Sequence, residues 1–427
     1  MNTRTASPAS PNGSAKTYDV VVVGGGSAGI AVASSLLKRR PKLSIAVVEP
    51  SDTHYYQPGW TLVGAGVFKP EVTKHPTAAV MPAKVEWMKQ AVAGFAPEAN
   101  EVSLADGSSL RYRTLVVCPG LKLNWDAIAG LPQALGKNGV TSNYRYDLAP
   151  YTAKLAHELR RGRALFTQPA MPIKCAGAPQ KAMYLSCDIW RRGCALQDIE
   201  VEFDLVPPAL FGVPVFVPAL MEYVKRYGIN LCFESKLVAV DGGARVATFE
   251  RKGADGATEK VERSFDMLHA VPPQCAPEFV AKSALANEAG WLAVDPTTLR
   301  HERFSNVFGL GDVIGTTNAK TAAAARKQAP VVAVNVLANL DGKEPTHGYD
   351  GYGSCPLTVE RGKIVFAEFG YGGKLLPTFP SWMIKPTRPS RLAWFLKERM
   401  LPPLYWHFML NGHEWLCAPQ PIERAKA

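Results

Sequence analysis

The stretch that decides the fold is Tyr18-Asp-Val-Val-Val-Val-Gly-Gly-Gly-Ser-Ala-Gly29, near the start of the chain. Apart from Asp19, residues 18–23 are a continuous apolar run, typical of a strand in the middle of a parallel sheet. An alanine-rich run follows Gly29 and ends near Pro41, which predicts a helix directly after the glycines. The stretch therefore predicts a strand, a tight turn and a helix, the first unit of a parallel α/β fold.

The three spaced glycines of this turn have the pattern that binds a dinucleotide. Gly24 allows the tight turn, Gly26 lets a pyrophosphate approach the backbone, and Gly29 lets the helix pack on the strand. A second apolar strand, residues 44–48, ends in Glu49, where a carboxylate is expected to receive the ribose hydroxyls. An acidic residue at this position argues against a 2′-phosphate, so the pattern favours FAD or NAD over NADP.

A late segment of the chain favours FAD. Residues 306–310 predict a strand, Gly311 and Asp312 follow it, and Lys320 and Thr321 precede a predicted helix over 322–340. In many flavoproteins with two dinucleotide domains, a late strand returns to the first domain in this way, and its Asp reaches the ribityl chain. The positive end of the following helix then points at the flavin and favours its anionic reduced form.

A second α/β unit, from about Asn143 to Asn287, has a different turn. Its predicted strand, residues 163–168, leads into Met171-Pro-Ile-Lys-Cys-Ala-Gly-Ala-Pro-Gln180, which lacks the glycine fingerprint and so is poorly suited to NAD(P)H. Cys175 instead precedes a predicted helix, with Lys174 adjacent and Lys181 one turn on. Helix N–H groups and ammonium charges stabilise a thiolate, so Cys175 is the candidate nucleophile.

Composition sets the remaining limits. The 427 residues carry a net charge of +11, but no basic stripe or reader motif points to nucleic acid, so a nucleic-acid partner is not expected. None of the eight cysteines forms a C-x-x-C pair, so no metal site is expected.

The sequence also predicts the domain boundaries. Residues 1–16 are expected to be a disordered leader. The predicted FAD domain comprises residues 17–142 and 288–345. The predicted second domain comprises residues 143–287, and the predicted C-terminal region comprises residues 346–427.

Several quoted motifs resemble sulfide:quinone oxidoreductases, in the branch that includes the mitochondrial enzymes. They are Val48-Glu-Pro50, His54-Tyr-Tyr-Gln-Pro-Gly-Trp60, Ile173-Lys-Cys-Ala-Gly-Ala-Pro-Gln-Lys181, Tyr184-Leu-Ser186 and Lys320-Thr-Ala-Ala-Ala324. The resemblance implies two tandem Rossmann-like domains, with a discontinuous FAD domain and a membrane-associated C-terminal region. It implies oxidation of sulfide to a persulfide and reduction of a membrane quinone, with Cys175 next to the flavin. The expected FAD contacts are Gly24, Gly26, Ser27, Ala28, Gly29, Glu49, Gln57, Val92, Gly311, Asp312, Lys320 and Thr321.

One departure from the family pattern leaves the second thiol open. The resemblance implies a Gly-Asp-Cys motif after the late strand, with its cysteine in the redox pair, but this chain has Val313 there. Cys275, directly after a predicted strand over 266–270, is the first candidate for a second catalytic thiol. Alternatively Cys175 works alone and a small thiol or sulfite removes its persulfide sulfur. Cys118, in another strand-end turn, is a weaker candidate because a packing cysteine fits equally well.

The tail favours a membrane surface. Leu392, Phe395, Leu396 and Met400 fall on one helical face, basic residues lie around it, and residues 401–410 add a second apolar, aromatic segment. Basic, aromatic amphipathic helices lie in a bilayer interface; packing on the protein body or a dimer interface is the alternative. The expected location is peripheral on the inner membrane, at the cytoplasmic face in a bacterium.

Two alternative functions stay open. One is a single-cysteine flavoprotein that oxidises thiols or persulfides, and the other is a non-enzymatic flavin redox sensor.

Overall fold

The protein is described here by a computed structural model that covers residues 16–252 and 256–422. All of the predicted leader except Lys16 lies outside the described residues. The α-helices in these two ranges are Ser27–Arg39, Trp60–Val63, Thr77–Val80, Leu131–Ala134, Ala149–Glu158, Ala178–Arg192, Val217–Tyr227, Glu278–Ala281, Ala322–Leu340, Arg391–Phe395 and Leu401–Pro403. The segments Leu396–Met400 and Leu404–Met409 are π-helical.

The first sheet has seven strands and contains the strand that precedes the glycine loop. Its members are Thr17–Val23, Ile45–Val48, Glu86–Met88, Val92–Ala96, Glu101–Leu104, Ser109–Val117 and Val307–Gly309. The Thr17–Val23 strand lies between two parallel neighbours, which explains the run of four valines at its end. The late strand Val307–Gly309 pairs in parallel with Ser109–Val117, so residues almost 200 positions away complete the first domain. This discontinuous arrangement confirms the predicted fold class.

The second sheet has five parallel strands. In spatial order they are Val140–Thr141, Met267–His269, Gly162–Gln168, Ile199–Leu205 and Asn230–Phe233. A three-stranded antiparallel sheet, Ser235–Asp241, Val246–Lys252 and Thr258–Ser264, follows it in the chain. Val140–Thr141 already pairs with the second sheet, slightly before the expected boundary at residue 143. The domain limits otherwise stay a prediction.

The C-terminal region starts with an antiparallel hairpin, Gly353–Glu360 and Lys363–Phe369. Six further short strands lie outside these sheets: Thr53–Tyr55, Lys74–Pro76, Lys122–Leu123, Gln274–Cys275, His347–Gly348 and Gln420–Pro421. The hairpin packs on the helix Ala178–Arg192, because Cys355, Leu357 and Val359 join the buried core of the second domain. Among the described residues, none of the helices combines the length and the apolar character needed to cross a bilayer.

Candidate active site

The glycine loop leaves an open space beside its backbone. Gly24 has a φ of +103°, a left-handed conformation that favours glycine, and a Cβ on Gly29 would lie 1.8 Å from the Gly24 carbonyl oxygen. A Cβ on Gly26, in contrast, would meet no heavy atom within 4 Å. The first N–H groups of the helix Ser27–Arg39 have no acceptor within that helix, so they are free to bind an anion. This geometry fits the pyrophosphate of a dinucleotide.

Glu49 lies against the same loop. Its Oε2 accepts a hydrogen bond from the Gly25 N–H at 2.8 Å, and its Oε1 accepts one from the Ser51 N–H at 2.8 Å. The carboxylate therefore stabilises the conformation of the loop. It also lies at the end of its strand, where a ribose is expected to bind.

Val92, another predicted FAD contact, lies in an edge strand. This strand begins soon after Met88, whose carbonyl accepts a hydrogen bond from the Glu49 N–H. A contact between Val92 and FAD stays a prediction.

The late strand brings a second group of predicted FAD residues together. The Gly311 N–H donates to Gln328 Oε1 at 2.8 Å, and the Thr321 hydroxyl accepts from the Ala324 N–H at the start of Ala322–Leu340. The Lys320 ammonium donates to the carbonyls of Asp312 and Ile314 at 2.8 and 2.7 Å. Burial lowers the pKa of Lys320 to about 8 and raises the pKa of the Asp312 carboxyl.

The turn that carries Cys175, residues 169–177, is held against this late segment. The Cys175 N–H donates to the Lys320 carbonyl at 2.7 Å, and the Lys174 N–H donates to Gln274 Oε1 at 2.7 Å. The Lys174 ammonium donates to Gln57 Oε1 at 2.6 Å, so a further predicted FAD residue joins the group. Cys175 itself has a φ of +49°, which is uncommon for a residue with a side chain and typical of functional turns.

A second thiol lies beside Cys175, and it comes from the C-terminal hairpin. The Cys355 sulfur is 3.9 Å from the Cys175 sulfur, and the Lys181 ammonium donates to Cys175 Sγ at 3.0 Å. Gly177 makes the approach possible, because a Cβ there would lie 2.5 Å from the Cys355 sulfur. The two thiols are therefore in contact, with a buried cation on one of them.

The charges at this pair are unequal. The pKa of Cys175 lies well below its usual range, because the Cys355 S–H donates to its thiolate and Lys181 attracts it, and together these outweigh burial. The pKa of Cys355 lies well above its usual range, because its proton is held by Cys175 and its surroundings are dry. Burial lowers the pKa of Lys181, but the thiolate more than offsets this and raises it. Cys175 is thus the thiolate and Cys355 the thiol.

Lys397 is a further cation that the sequence reasoning missed. It is only 4% exposed, although it belongs to the tail segment that was expected to present its basic residues outward. Its ammonium contacts the Pro58 carbonyl at 3.4 Å and acts electrostatically on Lys181 and on both thiols. Burial, followed by repulsion from Lys181, lowers the pKa of Lys397 to about 7. The tail therefore contributes to the thiol site.

The comparisons with known proteins show the family to which the chain belongs. The family model for pyridine nucleotide-disulphide oxidoreductases matches residues 18–329. The chain is 39% identical over 397 residues to the mitochondrial sulfide:quinone oxidoreductase of Dictyostelium discoideum, covering 92% of this chain and 86% of that protein. It is 35% identical over 396 residues to the mitochondrial enzyme of Mus musculus, covering 93% and 87%. The chain belongs to the sulfide:quinone oxidoreductases.

A solved member of the family has the same fold. The sulfide:quinone oxidoreductase of Aquifex aeolicus superposes with a TM-score of 0.76 at 21% identity, covering 97% of this chain and 98% of that one. Sulfide:quinone oxidoreductases are FAD-dependent flavoproteins, and FAD is the cofactor here. The open space at Gly26 and the free N–H groups beside it fit that cofactor.

Within this family fold, the expected second thiol is in a different place. Gln274 and Cys275 are neighbours in one strand, so their side chains point to opposite faces. Because the Gln274 side chain faces Lys174, Cys275 points away from the turn that carries Cys175. The roles of Cys275 as partner thiol and of Cys175 acting alone stay predictions, while Cys355 is the thiol that lies in contact with Cys175.

The other two positions considered are packing sites. Val313 is fully buried in the core of the first domain, which suits its apolar side chain. Cys118 lies at the end of the Ser109–Val117 strand and points at the Gly24 carbonyl, with 3.6 Å between sulfur and oxygen. Burial raises the pKa of the Cys118 thiol, so it stays protonated and inert.

Proposed function

We propose that this protein oxidises sulfide to a persulfide and reduces a membrane quinone, with Cys175 and Cys355 as the redox pair. One observation carries the proposal. The sulfur atoms of Cys175 and Cys355 lie 3.9 Å apart, and the Lys181 ammonium donates to Cys175 Sγ. The turn that carries Cys175 is hydrogen-bonded to the expected FAD-binding segment. Bound FAD would accept two electrons from the Cys175 thiolate and pass them to the quinone.

The unequal pKa values decide which sulfur is attacked. In the oxidised form, Cys175 and Cys355 share a disulfide, and hydrosulfide can attack either of its sulfur atoms. The thiol with the lower pKa leaves faster, so attack on Cys355 is favoured. The new bond forms between the sulfide sulfur and Cys355 Sγ, the disulfide breaks, and its electron pair stays on Cys175 as a thiolate beside Lys181. Cys355 is left with the persulfide.

The persulfide sulfur must then leave for a second molecule. A small thiol or sulfite attacks the outer sulfur atom, forms a bond to it and releases the Cys355 thiolate. After Cys175 has given up two electrons, the two cysteine sulfurs can form the disulfide again. One sulfide and one acceptor are consumed in each cycle, and the two electrons go to the quinone.

The position of the persulfide gives a direct test. We expect sulfide together with a small thiol acceptor to reduce the flavin under anaerobic conditions. With one equivalent of sulfide and no acceptor, we expect peptide mapping after alkylation to find the extra sulfur atom on Cys355. Sulfide that fails to reduce the flavin in the presence of the acceptor would contradict the proposed function. Flavin reduction with the extra sulfur on Cys175 would retain the function and reverse the order of attack.

NADH is expected not to replace sulfide as the electron donor. The second glycine fingerprint is missing, and the turn at 169–177 is occupied by its contacts to Lys320 and Gln274. The strand Ile199–Leu205 is followed by Val-Pro-Pro, so no carboxylate stands there for a ribose. Under anaerobic conditions we expect NADH to leave the flavin absorbance unchanged over the time in which sulfide bleaches it. Bleaching at a similar rate by NADH would show that this turn does bind a dinucleotide.

The tail is the proposed membrane surface, at the cytoplasmic face of the inner membrane in a bacterium. Its exposed apolar side chains are Trp382, Met383, Leu392, Phe395, Met400, Phe408, Trp415 and Leu416. The exposed basic residues Lys385, Arg388, Arg391 and Arg399 accompany them. Aromatic side chains bind the interface by hydrophobic burial, while the cations add an attraction to anionic lipids that salt screens.

Removing two of these aromatic residues is expected to release the protein from lipid. Trp382 is 81% exposed and Phe395 is 51% exposed, and burial of a large apolar side chain contributes about 1.5–3 kcal/mol. The double change Trp382→Ala and Phe395→Ala should therefore weaken binding to anionic vesicles by about a hundredfold or more in a flotation assay. Val72→Ala, at another exposed apolar position, is the control. High salt alone should release only part of the wild-type protein, and complete release would favour a purely electrostatic contact.

A further inference from the structure

The C-terminal segment also reaches the glycine loop. The Tyr405 hydroxyl oxygen is 2.6 Å from Ser27 Oγ and 2.6 Å from Nε2 of His54. The other ring nitrogen of His54, Nδ1, is 3.3 Å from the Gly25 carbonyl oxygen. Tyr405 and His54 are both about 4% exposed, so these bonds form in a buried setting. A residue nearly 380 positions away thus contacts the loop that faces the pyrophosphate.

The direction of each hydrogen bond follows from the groups involved. A carbonyl oxygen only accepts, so His54 Nδ1 carries the proton and donates to Gly25. Burial lowers the pKa of His54 to about 4, so the ring is neutral at neutral pH and Nε2 has no proton. Nε2 therefore accepts from the Tyr405 hydroxyl, whose oxygen accepts in turn from the Ser27 hydroxyl. The chain of donors runs from Ser27 through Tyr405 and His54 to Gly25.

This chain leaves the loop with a defined conformation. The Ser27 hydroxyl is turned toward the C-terminal segment, and the Gly25 carbonyl is held on the side of His54. Both groups are thereby kept away from the free N–H groups of the helix start, where a carbonyl or a hydroxyl lone pair would repel a phosphate. The loop is thus held in the form that binds an anion before the anion arrives.

The segment around Tyr405 is firmly packed on the same helix. Met409 and Leu410 join the core of the first domain, and the Ser34 hydroxyl donates to the Leu410 carbonyl at 2.6 Å. Further along, Glu414 accepts from Ser35 at 2.7 Å and forms an ion pair with Arg39. Docking of the segment on the helix Ser27–Arg39 therefore orders the helix start as well as its body.

We propose that Tyr405 is a positioning residue for FAD, through which docking of residues 404–410 and FAD binding stabilise each other. The inference rests on FAD binding in the proposed function, and it does not depend on the sulfide chemistry. Linkage makes such a coupling reciprocal: the docked segment raises the affinity for FAD, and bound FAD holds the segment in place by the same factor.

Tyr405→Phe tests the hydroxyl while keeping the ring, which packs on Tyr56 with 4.8 Å between ring centroids. We expect FAD to dissociate from the diluted holoenzyme with a Kd about tenfold higher, measured by the rise of flavin fluorescence on release, because a buried acceptor loses its partner. The control is Tyr112→Phe, in the same domain, whose buried hydroxyl has no partner among the described residues. The unfolding midpoint in saturating FAD should be close to that of the wild type in both variants.

Two further measurements separate positioning from general stability. Ser27→Ala should weaken FAD binding similarly, and its combination with Tyr405→Phe should cost less than the two single effects together. Hydrogen exchange at residues 404–410 should slow when the wild-type holoenzyme is given excess FAD, and this effect should shrink in Tyr405→Phe. An unchanged Kd in Tyr405→Phe would overturn the proposal. So would an equal loss in Tyr112→Phe, or strictly additive effects of Ser27→Ala and Tyr405→Phe. Flavin reduction by sulfide in the same variants reports on the proposed function independently.

Discussion

Cys355→Ser is expected to bind FAD as the wild type does and to lose sulfide-dependent quinone reduction, with turnover falling about a thousandfold or more. A hydroxyl cannot form the disulfide with Cys175 that sulfide has to attack, and it cannot carry the persulfide. The change is small, and Cys355 contacts the site through its sulfur, 3.9 Å from that of Cys175. The measurements are steady-state quinone reduction with sulfide as donor and the flavin absorbance of the purified variant.

Cys275→Ser is the matched control, because the two cysteines differ in the one property that matters. Cys275 is likewise a free cysteine in a strand, but it is half-buried and points away from the Cys175 turn. We expect it to keep near wild-type turnover. If Cys275→Ser were inactive while Cys355→Ser retained its activity, the pair would have to be Cys175 and Cys275 after all. Val313→Cys should add nothing, since a thiol there would be enclosed in the core of the first domain.

The first thiol could be predicted from the sequence, and the second could not. Cys175 stands in a turn whose neighbours, two prolines and two lysines, are unusual for a strand-to-helix connection. Cys355 is 180 residues further on, in the strand Gly353–Glu360. There Cys355, Leu357 and Val359 occupy every second position and share one face of the strand. That alternation predicts packing, and it does so correctly. The sulfur of Cys355 lies next to Cys175 only because the hairpin packs on the helix Ala178–Arg192, and no local pattern in the sequence predicts that packing.

The fold was predictable for a related reason. The glycine loop, its apolar strand and Glu49 are local features with fixed spacing, so a short window contains the whole signal. The predicted strand at 18–23 and the predicted helix at 322–340 are observed as Thr17–Val23 and Ala322–Leu340. Lys397 shows the limit of local patterns. An amphipathic pattern places charges on the outer face, and it does not show that a lysine on the helix is buried.

The tail is a further case in which a local pattern described only part of the role. The apolar and basic residues after Pro380 predict a membrane surface, as if the segment were an appendage. In the structure the same segment supplies Lys397 to the thiol site and Tyr405 to the glycine loop. Its buried residues Ala393 and Trp394 pack with Leu185 of the helix after Cys175. Deleting the tail would therefore remove parts of both sites, so single substitutions are the sharper test of membrane binding.

The second large effect is expected at Lys181, the cation closest to the reactive sulfur. Lys181→Met keeps most of the length of the side chain, and it should preserve FAD binding and slow flavin reduction by sulfide about ten- to a hundredfold. A charge-assisted hydrogen bond is worth about 1.5–3 kcal/mol, and here it stabilises the leaving thiolate. Removing the cation also raises the pKa of Cys175, because the neighbouring positive charge favours the ionised form.

The expected rise in the pKa of Cys175 can be measured independently of turnover. Alkylation of the reduced enzyme by iodoacetamide requires the thiolate, so its pH midpoint should move upward in Lys181→Met, and sulfide turnover should recover partly at higher pH. Lys181→Gln, which keeps an N–H donor without the charge, should lie between Lys181→Met and the wild type. Lys225→Met, an exposed lysine on the next helix, is the control and should change neither property. An unchanged alkylation midpoint in Lys181→Met would mean that Cys355 and the turn at 169–177 suffice to hold the thiolate. In that case the buried ammonium would serve packing rather than the leaving group.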